Sequence, residues 1–262
     1  MKFSALAIVS ILGFAAATPA QIEKRATVQG FDISGYQPTV DFAGAYASGA
    51  RFVIIKATEG TSYISPAFSS QYTGATKAGF IRGGYHFAHP GSSSGAAQAT
   101  YFIAHGGGWS KDGITLPGML DIEYNPSGAT CFGLSASAMV AWIKDFVNTY
   151  HTKTGVYPMI YTTTNWWTQC TGNSAAFGST CPLVLARYST SPGTMPAGWA
   201  FQTIWQNNDA YKNGMDRREI TIRYCAGNDR FVHTVDSTAT LALSFPSLEP
   251  NRHPFPFTRR VP

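Results

Sequence analysis

The chain has 262 residues, 44% of them hydrophobic, with a formal charge of +5. That charge sits at the ends. Residues 26–211 carry eight basic and eight acidic side chains, so the body lacks the basic stripe that tracks nucleic-acid phosphates. Nothing beyond the N-terminus approaches the ~20 consecutive apolar residues of a membrane helix, and the four cysteines do not have zinc-site spacing.

The first segment reads as a secretory signal, residues 1–20. Lys2 is followed by an apolar run from Phe3 to Ala17 and by small residues to Ala20, too short to span a bilayer. Residues 21–25 read as a short propeptide ending in the dibasic pair Lys24-Arg25. The expectation is therefore a secreted, extracellular protein with one large domain, residues 26–212, and a monomer as the simplest state.

Within that domain, apolar runs alternate with helix-like segments. "TVQGFDIS" (27–34), "RFVIIKAT" (51–58), "FIRGGYHFA" (80–88), "LPGMLDIE" (116–123) and "YPMIYTT" (157–163) read as five buried strands. Each is nearly continuous in apolar character, as parallel strands covered on both faces are. The clearest helix runs from Ser135 to about Thr152, where Met139, Trp142, Ile143, Phe146 and Tyr150 recur at helical spacing, with Ser135 as N-cap and Gly155 as stop. "PLVLARY" (182–188) and "FQTIWQ" (201–206) then follow as strands with little helix between them. Five βα units followed by bare strands make an α/β fold, a modified TIM-like barrel of (β/α)5(β)3 type.

The eighth strand falls to residues 213–262, whose character differs. All six tryptophans lie between Trp109 and Trp205, and the chain ends in "NRHPFPFTRRVP". Codons for Gly214-Met215 and Ala226-Gly227 permit splice donor and acceptor sequences. This tail is read as a retained intron followed by a frame-shifted exon, which leaves the last strand in doubt; a natural tail is the alternative. Among the cysteines, Cys170 and Cys181 bracket a Gly/Ser/Asn-rich segment that a disulfide would close, for about 3 kcal/mol at most. Cys131 then reads as a buried free thiol, and Cys225 lies in the tail.

The chemistry concentrates at the C-terminal strand ends, where barrel active sites open. Asp121 and Glu123 are two residues apart on one strand, so both carboxylates face one cleft, their Cα atoms about 6.6–7 Å apart. Crowding raises at least one carboxyl pKa and keeps a general acid protonated. Paired carboxylates serve glycoside hydrolysis, one protonating the leaving oxygen and the other stabilising positive charge at the anomeric carbon. Asp32 ends the first strand, Glu59 follows the second, Tyr85, His86 and Phe87 end the third, and Tyr161 ends the fifth. Plainer readings exist for several of these. Lys56 and Glu59 suit a simple ion pair, and Tyr85, Phe87 and Tyr161 suit core aromatics. His86 and His89 form H-x-x-H without a third ligand, so no metal site is assigned. Of the pair Trp166 and Trp167, one is expected to be buried and the other exposed.

These motifs together resemble the glycoside hydrolase family 25 muramidases, the Chalaropsis-type lysozymes, in their secreted fungal branch. The resemblance runs from about Thr27 to Gln206 and rests on Asp32-Ser34-Gln37, "FVIIKATEG", "GGYHFAHP", "LDIEYN", "YPMIYTTTNWW", "LVLARY" and "TIWQ". It implies cleavage, with retention and no cofactor, of the β-1,4 bond between N-acetylmuramic acid and N-acetylglucosamine in bacterial peptidoglycan. It also implies Glu123 as acid/base, Asp121 as orienting, charge-stabilising or nucleophilic partner, and Asp32 as a substrate-binding and tuning carboxylate. Glu59, Tyr85, Phe87 and Tyr161 are read as substrate-binding residues from their place at the strand ends, where sugar sites stack aromatic faces on pyranose rings and set carboxylates on hydroxyls. A last-strand aspartate of the family finds no match among Asp209, Asp216 and Asp229. Two other functions compete: a peptidoglycan-binding protein without turnover, and a chitinase-like hydrolase. The chitinase motif would need acids at Met119 and Leu116.

Overall fold

The computed structural model describes residues 28–209 and, as backbone, residues 220–222. Residues 1–27, where a signal and a propeptide are expected, and most of the tail, Cys225 included, lie outside the described residues. In chain order the elements are β1 (Val28–Ile33), α1 (Phe42–Ala47), β2 (Ala50–Glu59), β3 (Tyr63–Ile64), α2 (Phe68–Lys77), β4 (Ile81–Phe87), α3 (Gly95–Phe102), β5 (Met119–Asp121), α4 (Ala136–Thr154), β6 (Met159–Thr162), α5 (Thr164–Thr171), β7 (Leu183–Ala186), β8 (Ile204–Gln206) and β9 (Ile220–Ile222). Strands β1, β2, β4, β5, β6, β7 and β8 run parallel in that order, while β9 pairs antiparallel with both β8 and β1 and closes the ring. The five α-helices among the described residues follow the first five ring strands, α3 running on into a π-helical segment at Ile103–Gly107, which gives the (β/α)5(β)3 barrel.

Side chains alternate across the ring because successive residues of a strand point to opposite faces. Phe52, Ile54, Ile81, Tyr85, Met119, Met159, Tyr161, Val184 and Ile204 fill the interior. Leu120, Ile122, Ile160, Leu183 and Leu185 point outward, under Phe102 of α3, Phe146 and Tyr150 of α4, and Trp166 and Trp167 of α5. Gly30 on β1 is required by this packing: a Cβ there would lie 2.0 Å from the Phe52 ring. The helices start where their caps allow. The hydroxyls of Ser94, Ser135 and Thr163 accept from Ala97, Ala138 and Trp166 backbone N–H groups, and α4 ends at Gly155 with φ of 79°.

Three features differ from the sequence reading. Strand β5 stops at Asp121, so Glu123 stands two residues past its end. The disulfide joins Cys131 to Cys170, not Cys170 to Cys181. The end of α5 brings Cys170 against the loop after β5, with Cα atoms 5.3 Å apart, whereas Cys181 is a buried free thiol whose pKa burial pushes up to about 12. Trp166 and Trp167 are both buried, because α5 is enclosed on two sides. The Trp166 indole donates to Thr130 O at 3.2 Å, the Trp167 indole donates to Ser174 O at 2.9 Å, and the Trp167 ring meets Trp199 edge-on.

Candidate active site

The inward parity that fills the barrel also builds its mouth. On β5, Met119 and Asp121 share one side, and Glu123 continues that side past the strand end. Asp32 ends the same inward row on β1, Tyr85 on β4, Tyr161 on β6 and Gln206 on β8. These seven residues, Asp32, Tyr85, Met119, Asp121, Glu123, Tyr161 and Gln206, line one pocket. Three carboxylates from two strands thus converge over a floor of Met119 and two tyrosines.

The hydrogen bonds of the floor fix its polarity. Gln206, almost fully buried, donates from Nε2 to Asp32 Oδ2 at 2.6 Å. Its Oε1 accepts the hydroxyls of Tyr161 at 2.8 Å and Tyr188 at 3.2 Å. A phenol has one proton to donate, so both tyrosines hold the amide oxygen on their side and turn the amide N–H toward Asp32. The Tyr161 hydroxyl titrates well above the usual phenol range, first because it is buried and then because Glu123, Asp121 and Asp32 surround it with negative charge. It stays a neutral donor.

Beside the pocket, β2 carries a bulge. Lys56 pairs with Tyr85 and Thr58 with His86, so Ala57 is the extra residue. In a regular strand Lys56 and Glu59, three apart, would face opposite ways; the bulge puts both on the inner side. Lys56 Nζ donates to Glu59 Oε2 at 2.6 Å and stands 5.1 Å from the centre of the Phe87 ring, while His89 Nε2 meets Glu59 Oε1 at 2.8 Å. Burial would raise the Glu59 pKa, but the bonds from Lys56 and His89 outweigh it and hold the carboxyl below its ordinary value. Glu59 and Phe87 therefore adjoin the pocket rather than line it; Phe87 is paired in register with Asp121.

The bulge turns Thr58 outward to His86. There Gln98 Oε1 accepts the His89 backbone N–H at 3.0 Å and faces His86 Nε2 at 2.9 Å. Nε2 thus carries the proton, and Nδ1 accepts from Thr58 Oγ1 at 2.8 Å. His86 is a core histidine that burial depresses to a pKa of about 4. Of the residues singled out from sequence, Asp32, Tyr85, Asp121, Glu123 and Tyr161 meet in the pocket. Gln206 was not singled out; its signal was the inward parity it shares with Ile204 at the end of "TIWQ".

A family model described as "Glycosyl hydrolases family 25" matches residues 31–214. The chain is 70% identical over 192 residues to an N,O-diacetylmuramidase of Chalaropsis sp, covering 72% of this chain and 91% of that one. It is 62% identical over 218 residues to an N,O-diacetylmuramidase of Arthroderma benhamiae, covering 82% and 92%. Among solved structures, a muramidase from Acremonium alcalophilum superimposes with a TM-score of 0.74 at 66% identity, over 76% of this chain and 95% of that one. A family GH25 lysozyme from Aspergillus fumigatus superimposes with a TM-score of 0.74 at 60% identity, over 76% and 95%.

Proposed function

The chain belongs to family 25 of the glycosyl hydrolases, and we propose that it is a secreted lysozyme that hydrolyses, with retention and without a cofactor, the β-1,4 bond between N-acetylmuramic acid and N-acetylglucosamine in peptidoglycan. The observation that carries this reading is the convergence of Asp32, Asp121 and Glu123 on one pocket at the C-terminal end of the barrel. The kinship with muramidases at 60–70% identity narrows the substrate. The N-terminal apolar segment supports export.

In this reading Glu123 acts as the acid. It stands beyond the strand end and is only half-buried, so its carboxyl can reach a glycosidic oxygen entering from the mouth. It protonates that oxygen as the bond breaks, then takes a proton from the water that completes the reaction. Asp121, buried beneath it, supplies the negative charge that the oxocarbenium-like transition state requires, whether by direct attack or through the substrate's acetamido group. Asp32, held by Gln206, binds substrate and keeps further negative charge beside the pair. Tyr85 and Tyr161 contact the sugar from the floor, and Glu59 and Phe87 from the side.

The test is release of reducing ends from purified peptidoglycan and, in parallel, from chitin by the full chain. Turnover on peptidoglycan alone is expected. Turnover on chitin alone, or binding of peptidoglycan without new reducing ends from a folded chain, would overturn the assignment.

A further inference from the structure

Between Glu123 and α4 the chain makes a turn that its residues do not suit. The Leu134 N–H donates to Cys131 O at 3.0 Å, and the two residues between them, Phe132 and Gly133, have φ of 55° and 76°. Two successive positive φ angles are those of a type I′ turn, whose central positions favour Asn, Asp and Gly. Glycine fills the second. The first carries phenylalanine, a bulky side chain whose Cβ is crowded in this conformation. The other non-glycine residue of positive φ among the described ones is Asn173, which tolerates it. Strain at a bulky residue persists where the surroundings enforce it, and it asks what the side chain reaches.

The Phe132 ring reaches His89. The two rings meet edge-on, their centres 5.7 Å apart at 82°. His89 is firmly mounted: its backbone N–H donates to Gln98 Oε1 at 3.0 Å, its carbonyl accepts from Gln98 Nε2 at 2.8 Å, and Gln98 is fully buried. On the ring, Nε2 donates to Glu59 Oε1 at 2.8 Å, and the Phe87 ring lies 5.5 Å away. The backbones approach as well, since a Cβ at Gly91 would lie 2.9 Å from Phe132 O.

This contact closes a circuit around Glu123. On the strand side, the Ala88 N–H donates to Asp121 O at 2.9 Å and the Ile122 N–H to Tyr161 O at 3.0 Å, so the backbone is fixed up to the residue before Glu123. Beyond it come Tyr124 and a loop in which the Asn125 N–H donates to Thr130 O at 3.4 Å. From the β6 side, α5 holds the end of that loop through the Cys131–Cys170 disulfide and the Trp166 indole on Thr130 O. From the β4 side, His89 meets it at Phe132. Strands β4 and β6 flank β5 in the ring, so the two holds come from opposite sides.

We propose that Phe132 and His89 form a latch that positions Glu123, the strained turn being kept because it aims the Phe132 ring at His89. This rests on the function proposed above, in which Glu123 is the acid. Glu123 lies past the end of β5, so its direction depends on the loop that follows as well as on the strand. A general acid must meet its oxygen at hydrogen-bond distance, and a misplacement of about 1 Å can cost about a hundredfold in rate. A latch from the end of β4, which is bonded to Asp121 O, holds both carboxylates in one frame. Phe132 and His89 are thus positioning residues, and Glu59 orients the His89 ring.

The experiment compares the full chain with Phe132→Asn, Phe132→Tyr, His89→Ala and the double variant of Phe132→Asn with His89→Ala. It reads kcat and KM on soluble peptidoglycan fragments, the thermal midpoint, and amide hydrogen exchange over residues 122–128. Asparagine suits the turn, so Phe132→Asn should keep its midpoint within about 4 °C. Its kcat should nevertheless fall about tenfold, with KM within about twofold. Phe132→Tyr, which restores a ring, should recover most of that loss. His89→Ala should lower kcat by a similar factor, and the double variant by no more than the larger single loss, because both changes break one contact. Exchange over residues 122–128 should quicken at least about threefold in Phe132→Asn. A kcat that falls only in step with the midpoint, losses that multiply in the double variant, or a change in the KM of Phe132→Asn alone, as a direct substrate contact would give, overturns the inference. Should His89→Ala misfold, the two Phe132 variants carry the comparison by themselves. Turnover and exchange separate the two ideas: a wild-type chain without turnover on peptidoglycan removes the lysozyme, and exchange unchanged in Phe132→Asn removes the latch.

Discussion

Glu123 stands two residues past the end of β5, with the buried Asp121 behind it on the same inward side, and the proposed roles follow from that difference in depth. Glu123→Gln keeps the shape and removes the transferable proton. The variant should lose at least about a hundredfold in kcat while keeping its thermal midpoint, as loss of a general acid does; steady-state kinetics with a melting curve check both halves. Gln206 makes a different prediction, because its amide serves Asp32, Tyr161 and Tyr188 at once. Gln206→Leu should cost about 1–3 kcal/mol in urea unfolding and lower activity with it, since buried polar partners each lose a bond. His86 governs a third. Its folded pKa is about 4, whereas an unfolded histidine titrates near 6.5. As pH falls from about 6.5 to 4 the unfolded chain takes up a proton that the folded chain refuses. Stability should therefore drop across that window, by about 3 kcal/mol at full extent. Glu59, whose carboxyl is held below its ordinary value, adds to the loss at lower pH as it protonates. Urea unfolding at several pH values would show the His86 share as a slope that His86→Gln flattens. The carboxylate pair was legible in the sequence because i and i+2 spacing needs no tertiary knowledge. Gln206 was not, because its partners lie 174 and 45 residues away.

At the scale of elements, strand and helix assignments were legible wherever one periodicity ran uninterrupted. α4 shows this best: Ser135 caps it and Gly155 ends it, and Met139, Trp142, Ile143, Phe146 and Tyr150 are its buried face. The bulge in β2 was not legible, since one extra residue at Ala57 leaves an apolar run looking unbroken and yet decides that Lys56 and Glu59 meet. The disulfide was misread for a related reason: short spacing favoured Cys181, but α5 carries Cys170 back to a loop 39 residues earlier. That longer closure carries a testable magnitude. In the chain-entropy view a loop of this length contributes about 4 kcal/mol, so Cys131→Ser should lower stability by roughly that amount. It should also loosen the loop that holds Tyr124. Peptide mapping under non-reducing conditions should recover the Cys131 and Cys170 peptides joined. A joined Cys170–Cys181 peptide would overturn the assignment.

At the scale of the molecule, the barrel closes on a strand that the sequence reading placed in doubt. Five βα units and two bare strands were legible because parallel, doubly covered strands are nearly all apolar. The closing strand β9 spans three residues and pairs antiparallel between β8 and β1. So short a strand, in a segment of different composition, has no periodicity to read. The family match ends at residue 214, before this strand begins. Its position makes it more than a cap on the ring. Asp32 and Gln206, bonded at 2.6 Å, sit on β1 and β8, the two strands that β9 joins, so the seam of the barrel runs beneath the proposed active site. A chain ending at residue 212 would leave β1 and β8 with unpaired edges and hold that seam by side chains alone. It should unfold at a midpoint lower by about 2–8 °C, the shift expected for a loss of about 1–2 kcal/mol in a domain of this size. It should also lose peptidoglycan turnover more steeply than binding, since the carboxylates must keep their spacing for chemistry but less strictly for contact. Calorimetry and reducing-end release on the two chain lengths compare these directly. A shortened chain with unchanged midpoint and turnover would show that the seven parallel strands hold the site by themselves.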